Sequence, residues 1–171
     1  MQVEATFRDL GAAPLELRMS ISSPGRYSAH NFAKNVYDVR AYGPDRRQLS
    51  VVRSDPHGWR VSTHAGTVTV RYKIFGDHVD GTYLAIDSSH AHINMPAAVM
   101  FARGFDDRSA VLTFEPPVGR TDWRVATQLM PGAGPFEFTA PNLQYLMDSP
   151  TEFGPVAIEQ FPADGRTFRV A

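Results

Sequence analysis

The stretch IDSSHAHIN, residues 86–94, gathers three side chains that can bind a metal ion. Asp87 supplies a carboxylate, and His90 and His92 lie two residues apart. Alternate residues of a strand point to the same side of a sheet, so both imidazoles would face one way. This set of donors suits zinc, but a His-x-His pair rarely suffices alone. The favoured interpretation is that the rings pack at a sheet edge and hydrogen-bond to backbone.

A second polar stretch, YLMDSPTEFG, occupies residues 145–154. Asp148 and Ser149 are suited to capping a turn, and Pro150 would fix its backbone. In that interpretation Glu152 is simply solvated. The alternative is that Glu152 belongs to a binding site.

Well-marked catalytic patterns are missing from the sequence. There is no His-Glu-x-x-His zinc helix, no phosphate-binding glycine loop and no Gly-x-Ser-x-Gly elbow. There are also no cysteines, which excludes disulfides and thiolate chemistry. We therefore expect the chain as given not to be an enzyme and to hold no cofactor, with Asp87, His90 and His92 as the weak alternative metal site.

Period-two alternation recurs along the chain and predicts the elements that position these residues. The strongest strand is GTVTVRYKIFG, with Val68, Val70, Tyr72 and Ile74 on one face. Weaker patterns include AAVMFA at residues 97–102 and two strands after residue 154. Frequent Gly and Pro turns separate these short runs, which favours an all-β fold, an antiparallel β-sandwich.

Two segments interrupt the strand pattern. APNLQYLMD predicts a short helical turn near residues 141–148, because apolar residues recur behind Pro141. In SPGRYSAHNFAKN, Tyr27 and Phe32 are expected to plug one end of the sandwich. The loop at 130–141 is the most plausible boundary, which divides the chain into an N-terminal β-sandwich domain, 1–135, and a linker with further strands, 136–171.

Bulk properties exclude some partners. The chain has 171 residues and a net charge of −1, so it offers no electrostatic case for binding nucleic acid. No apolar run approaches the roughly 18 residues of a membrane span. The first ten residues lack the regions of a secretory signal peptide. The compartment stays open between cytoplasm and periplasm.

Three stretches in order resemble the glycyl aminopeptidases, peptidase family sixty-one. They are SSPGRYSAHNFAKNVYDVRAYGPDRRQL, TVRYKIFGDHVDGTYLAIDSSHAHINMPAAVMF and YLMDSPTEFG, and together they cover nearly the whole chain. The resemblance implies an N-terminal β-domain packed beside a thermolysin-like catalytic domain, with the first strands of that domain at 136–171. The zinc and its His-Glu-x-x-His helix are expected in the catalytic domain, which is absent here. The family does not use the stretch around His90 and His92 as a zinc site.

The resemblance also implies a role for Glu152. Related alanyl-type aminopeptidases hold the free amine of the substrate with a glutamate just after their N-terminal β-domain, and Glu152 occupies the corresponding place in order. This chain lacks the Met and Asn that flank that glutamate. The expected partners are its own catalytic domain and, in the full-length protein, a peptide substrate. The alternative function is a stand-alone β-sandwich module that binds carbohydrate or peptide.

Overall fold

The alternating sequence pattern becomes a series of antiparallel sheets in the computed structural model, which describes residues 1–170. The first nine strands are β1 Gln2–Phe7, β2 Leu15–Arg18, β3 Val36–Tyr42, β4 Gln48–Leu49, β5 Val51–Asp55, β6 Gly58–Val61, β7 Val68–Ile74, β8 Leu84–Ile86 and β9 Ala91–Ile93. The remaining strands are β10 Phe101–Ala102, β11 Ala110–Thr113, β12 Arg124–Thr127, β13 Met130–Pro131, β14 Glu137–Ala140, β15 Thr151–Gly154, β16 Glu159–Ala163 and β17 Arg166–Val170. The helices are α1 Met95–Ala98 and α2 Leu143–Met147, with a 3-10 turn at Phe32–Asn35. The predicted all-β, antiparallel class is confirmed.

Two four-stranded sheets form the N-terminal part of the core. One has the order β1-β7-β3-β4 and the other β10-β2-β6-β5. The apolar face of β7, with Val68, Val70, Tyr72 and Ile74, is buried as predicted. Side chains from both sheets join one buried cluster. Each large apolar side chain buried there contributes about 1.5–3 kcal/mol, which is why the alternation fixes which face turns inward.

Two further sheets are built from the middle and the end of the chain. One has the order β11-β14-β13, and the other β12-β15-β9-β8. Ala140 of β14, Phe153 of β15 and Leu146 of α2 are buried in the same cluster as the N-terminal sheets. The strands β14 and β15 follow residue 135 and pair with strands that precede it, so the sheets continue across that position.

The last two strands, β16 and β17, form a separate hairpin. Every residue of both strands is exposed. The strands predicted after residue 154 are therefore present, and they stand outside the core. The final residue of the predicted C-terminal segment, Ala171, lies outside the described residues.

The segment AAVMFA is the clearest correction to the predicted elements. Its first residues belong to the helical turn α1, and only Phe101 and Ala102 are in a strand. The buried Tyr72 hydroxyl explains the turn, because it donates to the Ala98 carbonyl at 2.8 Å and accepts from the Met100 amide at 3.0 Å. A buried phenol that needs two partners thus competes with strand pairing here.

The expectation for the two aromatics at the sandwich end is half wrong. Phe32 is fully buried, as predicted. Tyr27 lies in the loop before it and is 105% exposed.

The helical turn predicted near residues 141–148 is confirmed by α2, which Asn142 caps by accepting from the Tyr145 amide at 2.8 Å. None of the helices in residues 1–170 is long and apolar enough to cross a membrane.

Candidate functional site

Glu152 and His92 occupy neighbouring central strands of one sheet. Glu152 on β15 is in register with His92 on β9, and on its other side with Ala126 on β12. His92 is in turn paired with Ala85 on β8. Residues in register point to the same face of a sheet. One row therefore runs Ala85, His92, Glu152, Ala126 across the sheet.

The two polar members of this row are hydrogen-bonded to each other through His92 Nδ1 and Glu152 Oε1. A carboxylate only accepts hydrogen bonds, so Nδ1 carries the proton and donates it. The His92 side chain is 21% exposed and that of Glu152 39% exposed. Glu152 Oε2 has no hydrogen-bond partner within residues 1–170, so one carboxylate oxygen is held while the other faces solvent.

Polar groups before Glu152 fix the start of its strand. The buried Ser149 hydroxyl donates to the Tyr145 carbonyl at 2.6 Å and ends α2. Thr151 donates to the Thr127 hydroxyl at 3.0 Å, and Thr127 donates to the Pro150 carbonyl at 3.2 Å. The Asp148 side chain is exposed. Ser149 and Pro150 therefore shape the turn, as expected, and the segment TEFG continues as a strand.

Gly154, the last residue of β15, packs closely against His90. A Cβ at this position would stand 2.8 Å from His90 Cβ and 3.1 Å from His90 Cα. Contacts that short do not occur between unstrained carbon atoms, so only glycine lets the turn before β9 lie against β15.

Only two of the three proposed metal ligands lie together, since His90 Nδ1 is 3.5 Å from Asp87 Oδ1 whereas His92 is bonded to Glu152. Asp87 Oδ1 accepts from the amides of Ser89 and His90 and from the Ser89 hydroxyl, which closes the turn between β8 and β9. These hydrogen bonds, that from the Ser89 hydroxyl foremost, lower the pKa of Asp87 to about 2. His90 lies in that turn, while His92 pairs with Glu152. Across residues 1–170, no three His, Cys, Asp or Glu side chains are grouped to hold a metal ion.

The Peptidase M61 N-terminal domain matches residues 1–155. The chain belongs to this family. The match ends one residue after β15, so the M61 N-terminal domain takes in the row with His92 and Glu152 and leaves out the exposed β16–β17 hairpin.

A solved structure shows that the M61 N-terminal domain shares its fold with part of a larger protein. The crystal structure of the aminopeptidase N family protein from Idiomarina loihiensis superposes with a TM-score of 0.93 at 23% identity. The match covers 98% of this chain and 29% of that one. The chain thus spans less than a third of the length of that structure. No curated protein matches the chain.

The pairing of Glu152 with His92 is what sequence reasoning missed. The two residues are 60 positions apart. The sequence pattern predicts no strand at TEFG, so its register with β9 could not be foreseen. The usable signal is a period-two pattern. His92 lies between the apolar residues Ala91 and Ile93, and Glu152 lies between Thr151 and Phe153, two residue types that favour strands, which places both on an outer face.

Proposed function

We propose that this chain is the non-catalytic N-terminal domain of a zinc aminopeptidase. It braces the catalytic domain, walls one side of the substrate cleft and supplies Glu152 to the free amine of the peptide. The observation that carries the proposal is the family match over residues 1–155, which covers the domain and no catalytic motif. The similarity to less than a third of a longer aminopeptidase-family chain supports it.

The C-terminal hairpin supports the bracing role. In its register Phe161 lies opposite Phe168, and the two rings stack with centroids 5.5 Å apart. The same face carries Ala163 and Val170, with Arg166 opposite Ala163 and Glu159 opposite Val170. The other face carries Gln160, Pro162, Thr167 and Arg169. An isolated two-stranded hairpin is at best marginally stable in water. A face with this apolar centre suits packing against the domain that follows, and we place the junction between residues 155 and 158.

Glu152 has the properties that amine recognition needs. Its Oε1 is held by His92, and its Oε2 is open on the outer face of the sheet. Its neighbours in the row are small: Ala126 beside it is partly exposed, and Ala85 beyond His92 is buried. A carboxylate and an ammonium group about 4 Å apart attract by a few kcal/mol at a partly desolvated site. That attraction would select peptides with a free N-terminus.

The catalytic metal belongs to the other domain in this proposal. The described residues of this chain offer no ligand group for zinc. No catalytic step is therefore assigned to them. The chain contributes binding and shape, and the water, the metal and the general base come from the catalytic domain.

The first test asks whether the 171-residue chain hydrolyses anything. The purified chain is incubated with a glycyl chromogenic substrate, with and without added zinc, beside a full-length aminopeptidase that contains it. We expect turnover only from the full-length protein. Turnover by the chain that follows the protein through several purification steps would overturn the non-catalytic assignment.

The second test addresses Glu152 in the full-length aminopeptidase. Glu152→Gln keeps the size and loses the charge, so we expect KM for glycyl substrates to rise at least about tenfold, since hydrogen bonds to charged groups contribute about 1.5–3 kcal/mol. Glu4→Gln is the matched control, because Glu4 also pairs across strands, with Arg71, but in a different sheet. An unchanged KM in Glu152→Gln would remove Glu152 from the substrate site.

The alternative, a stand-alone module for carbohydrate or peptide, needs exposed aromatics aligned on one sheet face. Within residues 1–170, outside the C-terminal hairpin, the exposed aromatics are Tyr27 and Phe75 in loops and Tyr37 in β3. They belong to three separate segments. This distribution gives the alternative no specific support.

A further inference from the structure

We propose that His92 is a positioning residue that fixes the carboxylate of Glu152 for the substrate amine. The inference rests on the proposed function of Glu152 and adds to it a second residue, from another strand, that acts only through the first. His92 itself does not touch the substrate in this proposal.

The hydrogen bond determines which carboxylate oxygen is available. His92 Nδ1–H donates to Glu152 Oε1 and leaves Oε2 free. A glutamate side chain has several rotatable bonds, and immobilising such a side chain costs conformational entropy. A carboxylate that is already held meets part of this cost before the substrate arrives, so binding is tighter.

The surroundings make His92 the one group that can do this. The neighbours of the pair in its row, Ala85 and Ala126, have no side-chain donor. In the described part of the chain, His92 is also the only ion-pair or hydrogen-bond partner of the Glu152 side chain. The next row ends in Arg124, whose guanidinium donates to the carbonyls of Thr121 and Trp123 instead.

His92 is better fixed than the residue it orients. Its ring is the less exposed of the two. Its Nε2 atom is buried and has no hydrogen-bond partner within residues 1–170, so burial and the bond to Glu152 hold the ring. Both strands, β9 and β15, are paired on both sides, so the difference lies in the side chains. The stiffer and less exposed His92 ring therefore donates to the longer and more exposed Glu152 side chain. This is the arrangement expected when one residue supports another.

The experiment is a double-mutant cycle in the full-length aminopeptidase. The variants are His92→Leu, His92→Asn, Glu152→Gln and the double change His92→Leu with Glu152→Gln, with Glu4→Gln as control. Asparagine offers an N–H close to the position of Nδ1, whereas leucine keeps the bulk and offers no donor. KM and kcat are measured on a glycyl chromogenic substrate, and thermal unfolding confirms that each variant folds.

We expect His92→Leu to raise KM about fivefold to tenfold with kcat changed less than about twofold, the pattern of lost binding that is uniform between ground and transition state. His92→Asn should recover most of the loss. In the Glu152→Gln background, His92→Leu should add less than about twofold, because the group it positions is already impaired.

The two failures are distinguishable. If Glu152→Gln raises KM but His92→Leu does not, or if the two effects multiply independently, the positioning role is overturned and the proposed function stands. Equal effects of His92→Leu and His92→Asn would also overturn it, since bulk rather than the donor would then matter. If neither Glu152→Gln nor His92→Leu changes KM, the proposed amine site itself is overturned.

Discussion

His90 packs directly over Gly154, with its Cα only 3.1 Å from where a Cβ on Gly154 would stand. Gly154→Ala should therefore lower the free energy of unfolding by about 1–3 kcal/mol, as overpacking does elsewhere. The control is Gly134→Ala, where nothing lies within 4 Å of the added Cβ, and we expect less than about 0.5 kcal/mol there. The free energy of unfolding of both variants is measured by denaturant titration. Equal values for the two variants would contradict the close packing of His90 on Gly154.

His92 should show one ring tautomer in solution. Because Glu152 accepts from Nδ1, the proton sits on Nδ1 and not on Nε2 alone. Nitrogen chemical shifts of a ¹⁵N-histidine-labelled chain at neutral pH measure this directly. We expect the Nδ1 signal to have the shift of a protonated nitrogen, and Glu152→Leu to remove that bias. An Nε2-protonated neutral ring in the wild type would refute the hydrogen bond.

Asp87 makes stability depend on pH in the acid range. Its folded pKa of about 2 lies below its ordinary 3.8, so its contribution is present above about pH 4 and is lost as pH falls through about 2. Carbon-detected titration of the carboxyl should place its midpoint near 2. Ser89→Ala should raise the midpoint, because the Ser89 hydroxyl is the strongest cause of the shift. A wild-type midpoint near 4 would show that the turn is open.

Truncation should separate the domain from its hairpin. A chain ending at Val156 keeps every strand of the four larger sheets, so we expect cooperative thermal unfolding close to that of the full chain. A chain ending at Pro135 loses Ala140, Leu146 and Phe153 from the core and the central strand β15. Those apolar groups alone are worth several kcal/mol, against a typical total of about 5–15 kcal/mol. We expect that chain not to fold, and folding of it would contradict the shared core.

Tyr72 should be sensitive to loss of a single oxygen atom. Burial raises the pKa of its phenol well above the ordinary value, so the group remains protonated and donates to Ala98 at neutral pH. Tyr72→Phe leaves that carbonyl and the Met100 amide without a partner, at a cost of about 1–3 kcal/mol. Tyr37→Phe, at an exposed position, is the control and should be nearly neutral. Equal unfolding midpoints for the two variants would contradict this role.

Strands were predicted best from the sequence where one face is buried and the other is exposed to solvent. In β7 the alternation of Val68, Val70, Tyr72 and Ile74 is complete, and the face is as expected. The strand predicted at residues 97–102 was wrong, because the backbone there bonds to the Tyr72 hydroxyl, which is far away in the sequence. The prediction was also wrong at 130–141, expected to be a loop, because β13 and β14 are short and lack clear alternation.

The candidate site was predictable only in part. Glu152 followed from a family resemblance and stays a prediction as a substrate ligand. Its partner His92 was considered instead beside Asp87 and His90, because local spacing suggested a metal site. Register between β9 and β15 decides the true neighbour, and register depends on pairings that no local pattern records. The same pairing explains the glycine at the end of YLMDSPTEFG. Without a side chain at Gly154, the turn that contains His90 can pack against β15.

The position of β15 between β9 and β12 has one more consequence. An inner strand opens only when the sheet around it opens, so its amides should be among the slowest to exchange with deuterated solvent. Glu152 would then lie in one of the least mobile parts of the molecule. In the proposed aminopeptidase, any closure around a bound peptide would therefore come from the opposite side of the cleft, because this sheet is rigid.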